Sequence, residues 1–218
     1  MNQIISMFKQ FDTESMYSNS ASFTDRINHE ILAFTKFQSM DYAQYKSLRI
    51  AYLLEEISTE NSALKTSIIE YVSAFRPSIA IYAGSFNPFH LGHLNIVQKA
   101  STIFDKVIIA RGINPEKEYS IDKWASELIA GYQILDFKGL LTDIIKEQSI
   151  SANITLVKGL RNGDDLDYEV NQLRFMEEMY PELKVVFIQC DKEYEHISSS
   201  ALRNLERIQI GLSKKYIP

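Results

Sequence analysis

From residue 79 to residue 190 the chain alternates between two hydrophobic periods. Short apolar runs with β-favouring residues, Ile79–Tyr82, Val107–Ala110, Tyr132–Phe137, Ile154–Val157 and Val185–Cys190, are separated by stretches whose apolar residues recur at helical spacing. Strands joined through helices pair in parallel, and such crossovers are right-handed and carry their helices on the faces of the sheet. The expected architecture is therefore α/β, a parallel sheet with helices on both faces. Ligands of such sheets bind outside the carboxyl ends of the strands, near the switch in strand order.

The first third of the chain reads differently. Leu64, Ile68, Val72 and Phe75 recur at spacings of four, four and three, with Ser58 or Thr59 as a cap and Pro77 as the stop, which predicts an amphipathic helix. Asp41 opens a second such segment, with Tyr45, Leu48, Tyr52 and Ile57 on its apolar face, and Phe23 to Phe37 gives a third. The chain thus divides into a helical N-terminal segment, 1–77, and an α/β domain, 78–218. Tyr42, Tyr45 and Tyr52 read as a helix face rather than a base-stacking surface.

Charge and composition narrow the partners. A formal net charge of −5 with no Lys/Arg-rich block argues against duplex nucleic acid, but leaves room for a small anionic ligand held by a local cluster of cations. The single cysteine, Cys190, sits on an expected strand and reads as buried. No apolar run approaches the roughly 20 residues of a membrane span, and MNQIISMFKQFD lacks the pattern of a signal peptide, so a cytoplasmic location is expected and no membrane partner.

The stretch GSFNPFHLGH, residues 84 to 93, leaves the first strand and enters a helical pattern at Leu94, Ile96 and Val97. Glycine at a strand-to-helix turn admits close backbone approach, and the helix start offers free N–H groups to phosphate. Two further stretches fall at the ends of expected parallel strands: KGLR, residues 158 to 161, and ISSS, residues 197 to 200, with Arg203 beyond it. The sheet would gather all three on one edge. Helix N-termini, hydroxyls, a lysine, arginines and imidazoles together make equipment for a polyphosphate.

The HxGH turn with ISSS and a following arginine resembles the nucleotidylyltransferase superfamily. KGLRNGDDLDYEVNQLRFMEEMYPELKVVFI resembles the phosphopantetheine adenylyltransferases in particular, and the resemblance spans residues 79 to 208. It implies a Rossmann-like fold and adenylyl transfer from ATP to 4'-phosphopantetheine, giving dephospho-coenzyme A and pyrophosphate, with Mg2+ carried mainly by the ATP phosphates. It also implies ATP and a small phosphorylated acceptor as partners, in a homo-oligomer. Carried over by position, Ser85 and Phe86 touch ATP at the turn and Ser85 also the acceptor; His90 and His93 contact ATP, with His93 stabilising the transition state. Lys117, Leu141 and Lys158 contact the acceptor. Gly159, Leu160, Arg161 and Glu169 contact ATP, as do Tyr194, Ile197, Ser198, Ser199 and Ser200 of the last loop. His93, Lys117 and Arg161 form the implied catalytic set, and no protein metal ligand is implied.

Some positions depart from the family pattern. Lys158 stands where the pattern has arginine, exchanging a two-pronged phosphate grip for a point charge. The stretch between Lys117 and Phe137 is shorter, the terminal helix of the family is not seen, and the helical segment is additional. Two other readings stay open: transfer to another acceptor such as nicotinate mononucleotide, and a nucleotide-binding module without turnover. The short amphipathic helix ending at Pro77 must bury its apolar face, because isolated helices below about 15 residues are marginal in water. We expect residues 1–77 to dock on the α/β domain or across a dimer and to contribute no catalytic residue. Residues 78–218 expressed alone should then aggregate or be strongly destabilised, as measured by soluble yield and denaturant unfolding; an equally active, cooperatively folding fragment would refute this.

Overall fold

The computed structural model describes residues 42–56, 73–113 and 131–218, together with 6, 8, 66, 69, 70 and 129. The chain separates into two compact units, Met1–Arg76 and Pro77–Pro218.

In the first unit, helix α1 runs from Tyr42 to Glu56, starting where Asp41 marks it. Tyr45 and Tyr52 lie two turns apart on one buried face, with Arg49 fully buried between them. Phe8 packs edge-on against Tyr45 at 5.9 Å and tilted against Tyr52 at 5.6 Å. The Arg49 guanidinium carbon sits 5.1 Å from the Phe8 ring centre and 5.4 Å from that of Tyr52, so a charge left inside an aromatic cluster gains ring-face attraction. The expected segment Phe23–Phe37 and the positions Ile57, Leu64, Ile68 and Val72 lie outside the described residues.

The second unit is built on a parallel sheet of β1 (Ser78–Gly84), β2 (Lys106–Gly112), β3 (Gln133–Phe137), β4 (Asn153–Leu160) and β5 (Val185–Gln189), in the order β3-β2-β1-β4-β5. The described helices around it are α2 (Leu91–Ser101), α3 (Leu141–Gln148), α4 (Gly163–Met179) and α5 (Ser199–Ile208). The chain steps outward from β1 to β3 and returns to the other side of β1 with β4. The switch in strand order therefore falls between β1 and β4. Each of the five expected strands is present, within one residue or a few at its ends.

Register shows why both sides of the sheet are apolar. Ile81 pairs with Ile108 and Leu156, all buried on one face, while Tyr82 pairs with Ile109 and Val157 on the other. That second face joins Ile96, Val97 and Ala100 of α2 in one core. Strands buried on both faces are near-continuous in apolar residues, which is the pattern the sequence carries. Among the described residues no helix is long and apolar enough to cross a membrane.

Two glycines let the sheet reach the site. A Cβ on Gly159 would stand 3.0 Å from Ile96 Cγ1 and 3.1 Å from the Tyr82 hydroxyl, so glycine allows α2 to lie close over β4. A Cβ on Gly84 would stand 2.9 Å from Phe86 Cε1. Phe86 has φ +46°, which folds its ring back under the turn. There it is wedged between Tyr82 at 5.1 Å, Phe89 at 5.5 Å and His93 at 5.0 Å. Because that ring has nowhere to go, Gly84→Ala should cost about 1–3 kcal/mol of overpacking strain, read as a lower denaturation midpoint at unchanged slope.

Candidate active site

The three motif stretches do meet. A cavity of about 210 Å3 opens at the carboxyl ends of β1, β4 and β5, beside the switch in strand order. His90 and His93 form one wall, Gly159, Leu160 and Arg161 the floor, and Tyr194, Ile197, Ser198 and Ser199 a second wall, with Glu169 contributed by α4.

The histidine wall is set by the start of α2. His90 is the N-cap, with extended backbone (φ −142°, ψ 170°), and its side chain accepts from the His93 amide while the His93 side chain accepts from the His90 amide. The two contacts are His93 N–H to His90 Nδ1 at 3.4 Å and His90 N–H to His93 Nδ1 at 3.2 Å. This is a capping box made by two imidazoles, which satisfies amides that a helix start leaves unpaired. It also stacks the rings, 3.5 Å between centres at 21°. Gly92 keeps the turn open, since a Cβ there would meet the His90 ring at 3.1 Å.

Protonation follows from this geometry. With Nδ1 of each ring accepting a backbone N–H, the neutral imidazole carries its proton on Nε2 and is a donor there. Both rings are held neutral: burial, helped by the Arg161 charge, pushes His90 down to about 4, and burial, then His90 and Arg161, puts His93 well below its ordinary value. Two neutral N–H donors thus stand at the cavity wall.

The cations on the floor are already engaged by α4. Arg161 donates from Nε to Asp165 Oδ2 at 2.9 Å and from Nη2 to Oδ1 at 2.7 Å, and its backbone N–H reaches Oδ2 at 2.8 Å. Asp165 is seated in turn by the Asn162 cap, whose side chain accepts from the Asp165 amide at 3.1 Å. Its carboxyl is held below the ordinary range, chiefly by the Arg161 side-chain hydrogen bonds. One turn further along, Glu169 Oε2 lies 2.8 Å from Lys158 Nζ. Lys158 is not on the cavity lining; Glu169 is.

The serines divide their tasks. Ser198 caps α5, its hydroxyl accepting from the Ala201 amide at 3.1 Å. Ser199 donates to the Pro88 carbonyl at 2.9 Å, and Arg203 donates to the Asn87 carbonyl and, through Nη2, to Ser200 Oγ at 3.0 Å. The last loop therefore clamps the GSFNPFHLGH turn. Arg203 belongs to that clamp rather than to the cavity lining.

Of the sequence-predicted residues, His90, His93, Gly159, Leu160, Arg161, Glu169, Tyr194, Ile197, Ser198 and Ser199 line the one cavity. Ser85 and Ser200 are exposed and off it, Phe86 has its ring in the core, and Leu141 begins α3. Lys117 lies outside the described residues. The lining also includes Tyr82, Gly92, Ile96, Asp165 and Cys190, which the sequence reading did not single out as site residues. Tyr82 and Cys190 stand near the carboxyl ends of β1 and β5, and Ile96 is one helical turn beyond His93, so strand direction and helix period carried that signal.

A parallel sheet with this strand order, a histidine-capped helix after β1 and a serine-capped helix after β5 define a nucleotidyltransferase-type site. The chain belongs to the cytidylyltransferase-like family, whose pattern it matches over residues 81–205. It is similar to the phosphopantetheine adenylyltransferase of Clostridium tetani, 33% identical over 136 residues that cover 59% of this chain and 83% of that protein. It is likewise similar to the phosphopantetheine adenylyltransferase of Clostridium botulinum strain Hall, 34% identical over 147 residues, 64% of this chain and 87% of that one. A Plasmodium falciparum nicotinic acid mononucleotide adenylyltransferase structure aligns at a TM-score of 0.43 and 21% identity, over 64% of this chain and 90% of that one.

The neutral histidines predict a pH dependence of folding. His90 has a lower value folded, about 4, than unfolded, 6.5, so the unfolded state binds more protons between them. Stability should be full above about pH 6.5 and fall as pH drops towards 4, by up to about 3 kcal/mol from this group. His90→Thr keeps a capping oxygen and removes the titration, so it should flatten the fall seen by denaturant unfolding at pH 7, 6 and 5; an unchanged slope would disprove the assignment.

Proposed function

We propose that the chain transfers the adenylyl group of ATP to 4'-phosphopantetheine, releasing pyrophosphate and giving dephospho-coenzyme A. The observation that carries this reading is the single cavity in which the histidine turn, the KGLR floor and the serine loop meet, in a chain with phosphopantetheine adenylyltransferases as relatives. An oxygen of the acceptor phosphate attacks the α-phosphorus in line; the new P–O bond forms as the bond to the bridging oxygen of the β-phosphate breaks, and pyrophosphate leaves with that electron pair. No covalent enzyme intermediate is needed.

The protein supplies alignment and hydrogen bonds. We assign to His93 Nε2–H a donor role towards a non-bridging oxygen of the reacting phosphate, where charge shifts during transfer. As a neutral imidazole it donates without a proton being gained or lost. We assign Arg161, held in place by Asp165, to the nucleotide phosphates, and Tyr194 with Ile197–Ser199 to the nucleoside side of the cavity. An acceptor phosphate that reaches Lys158 must compete with Glu169 for its ammonium. Lys117 and Leu141 remain assigned to the acceptor on the resemblance alone, and residues 1–77 to no catalytic role.

A divalent cation, Mg2+ in this proposal, supplies charge neutralisation on the ATP phosphates when bound. On the family resemblance, the ion is assigned to the ATP phosphate oxygens.

The test is pyrophosphate release with ATP or CTP against 4'-phosphopantetheine and nicotinate mononucleotide. Turnover only with ATP and 4'-phosphopantetheine is expected; a preference for nicotinate mononucleotide would replace the acceptor, and no turnover with any pair would sink the enzyme reading. In the same assay His93→Ala should lower kcat by at least about 10²-fold with a much smaller change in ATP affinity. Equal losses in both would make it a ground-state phosphate ligand.

A further inference from the structure

Asn95 lies two residues after His93 on α2 and is buried at 9% exposure. Its amide is used at both ends by one residue just beyond β5: Nδ2 donates to Asp191 Oδ2 at 2.7 Å, and Oδ1 accepts from the Asp191 backbone N–H at 3.0 Å. One turn along, Lys99 Nζ lies 2.6 Å from Asp191 Oδ1 and donates to the Gln189 carbonyl at 2.8 Å. Asp191 follows Cys190 at the end of β5 and immediately precedes the short helical turn Lys192–Tyr194. The α2 residues 95 and 99 therefore grip the chain where it leaves β5 to become the loop wall.

We infer that Asn95, Asp191 and Lys99 are positioning residues that set the separation of the histidine wall from the Tyr194–Ser199 wall, and so the fit of the nucleotide between them. This rests on the adenylyl-transfer reading. The three touch no substrate in it; they act through His93 on one side and Tyr194 on the other. A reciprocal pair is a stiffer link than a single hydrogen bond, since it fixes orientation as well as distance. The Asp191 carboxyl is held below its ordinary value by hydrogen bonds from Lys99 and then Asn95, so it is an anion at neutral pH. Asparagine suits position 95 because one side chain donates to a carboxylate and accepts from an amide at once.

That chemistry gives a swap test. Asn95→Asp sets two carboxylates against each other and removes the donor, which should weaken ATP binding by at least about tenfold in titration calorimetry. The double variant Asn95→Asp/Asp191→Asn reverses the donor direction: the carboxylate introduced at 95 accepts both from the amide introduced at 191 and from the backbone N–H there, and Lys99 keeps an anion one turn away. It should return ATP affinity and kcat to within about threefold of wild type. Recovery of thermal stability in the double variant without recovery of ATP affinity would reduce the link to a purely structural one and overturn the inference. So would an Asn95→Asp chain that binds ATP as wild type does, or a double variant that fails to fold. Wild-type ATP binding and pyrophosphate release test the enzyme reading separately, so a wild type that passes both while the swap fails refutes the coupling alone.

Discussion

The reciprocal hydrogen bonds between His90 and His93 are the constraint on which the site depends. They close the first turn of α2, and they leave each ring with its proton on Nε2. Burial above all makes a cation on either ring unfavourable, and the Arg161 charge adds to it; at His93 the stacked His90 ring contributes as well. The capping turn thus holds two neutral N–H donors. Phe86 and Phe89 press on His93 from the turn, so the ring position is decided by core packing as much as by hydrogen bonds.

Charge at the end of β4 is balanced by α4. Asp165 and Glu169, one helical turn apart on α4, hold Arg161 and Lys158, three residues apart at the end of β4. A floor of free cations would attract the ground state of a polyphosphate strongly, and uniform attraction of that kind does not raise the rate of the chemical step. Neutral donors and a guanidinium held in fixed orientation act on charge where it changes, with no reorganisation at the moment of reaction. On the proposed reaction, the carboxylates of α4 are therefore part of the site's function rather than an obstacle to phosphate.

The sheet was readable from residues 79 to 190 because the apolar run of each strand stands out between helical periods, most clearly in β1 and β2, which are buried on both faces. Helix α1 was readable from Asp41, Tyr45 and Tyr52, but Arg49 was not readable as a core residue: nothing in its spacing says that Phe8, 41 positions earlier, will cover its guanidinium. At the site, the strand-end rule gathered HLGH, KGLR and ISSS correctly onto one edge. It could not say how their polar groups are used. Ser199 and Arg203 carry the residue types of phosphate ligands, yet both hydrogen-bond carbonyls of the turn, and that choice depends on where Asn87 and Pro88 lie. Asp165 was hidden for a similar reason, being one acidic residue among several in GDDLDYE until the fork with Arg161 selects it.

Three of the contacts that escaped the sequence share a property. Asn95 meets Asp191 across 96 residues, Ser199 meets Pro88 across 111, and Arg203 meets Asn87 across 116. None can form until β4 and β5 have been added beside β1, since those strands carry the later partners to the edge where the earlier ones wait. Closing such loops costs entropy that the assembled sheet offsets, so these ties depend on the sheet rather than on local sequence. Loop-closure cost grows only slowly with length. Chain inserted or removed between β2 and β3 therefore changes little in the energy of these ties, provided the strands still align. By this argument three short stretches at strand ends can hold such a site together with little energetic dependence on the length of chain between them.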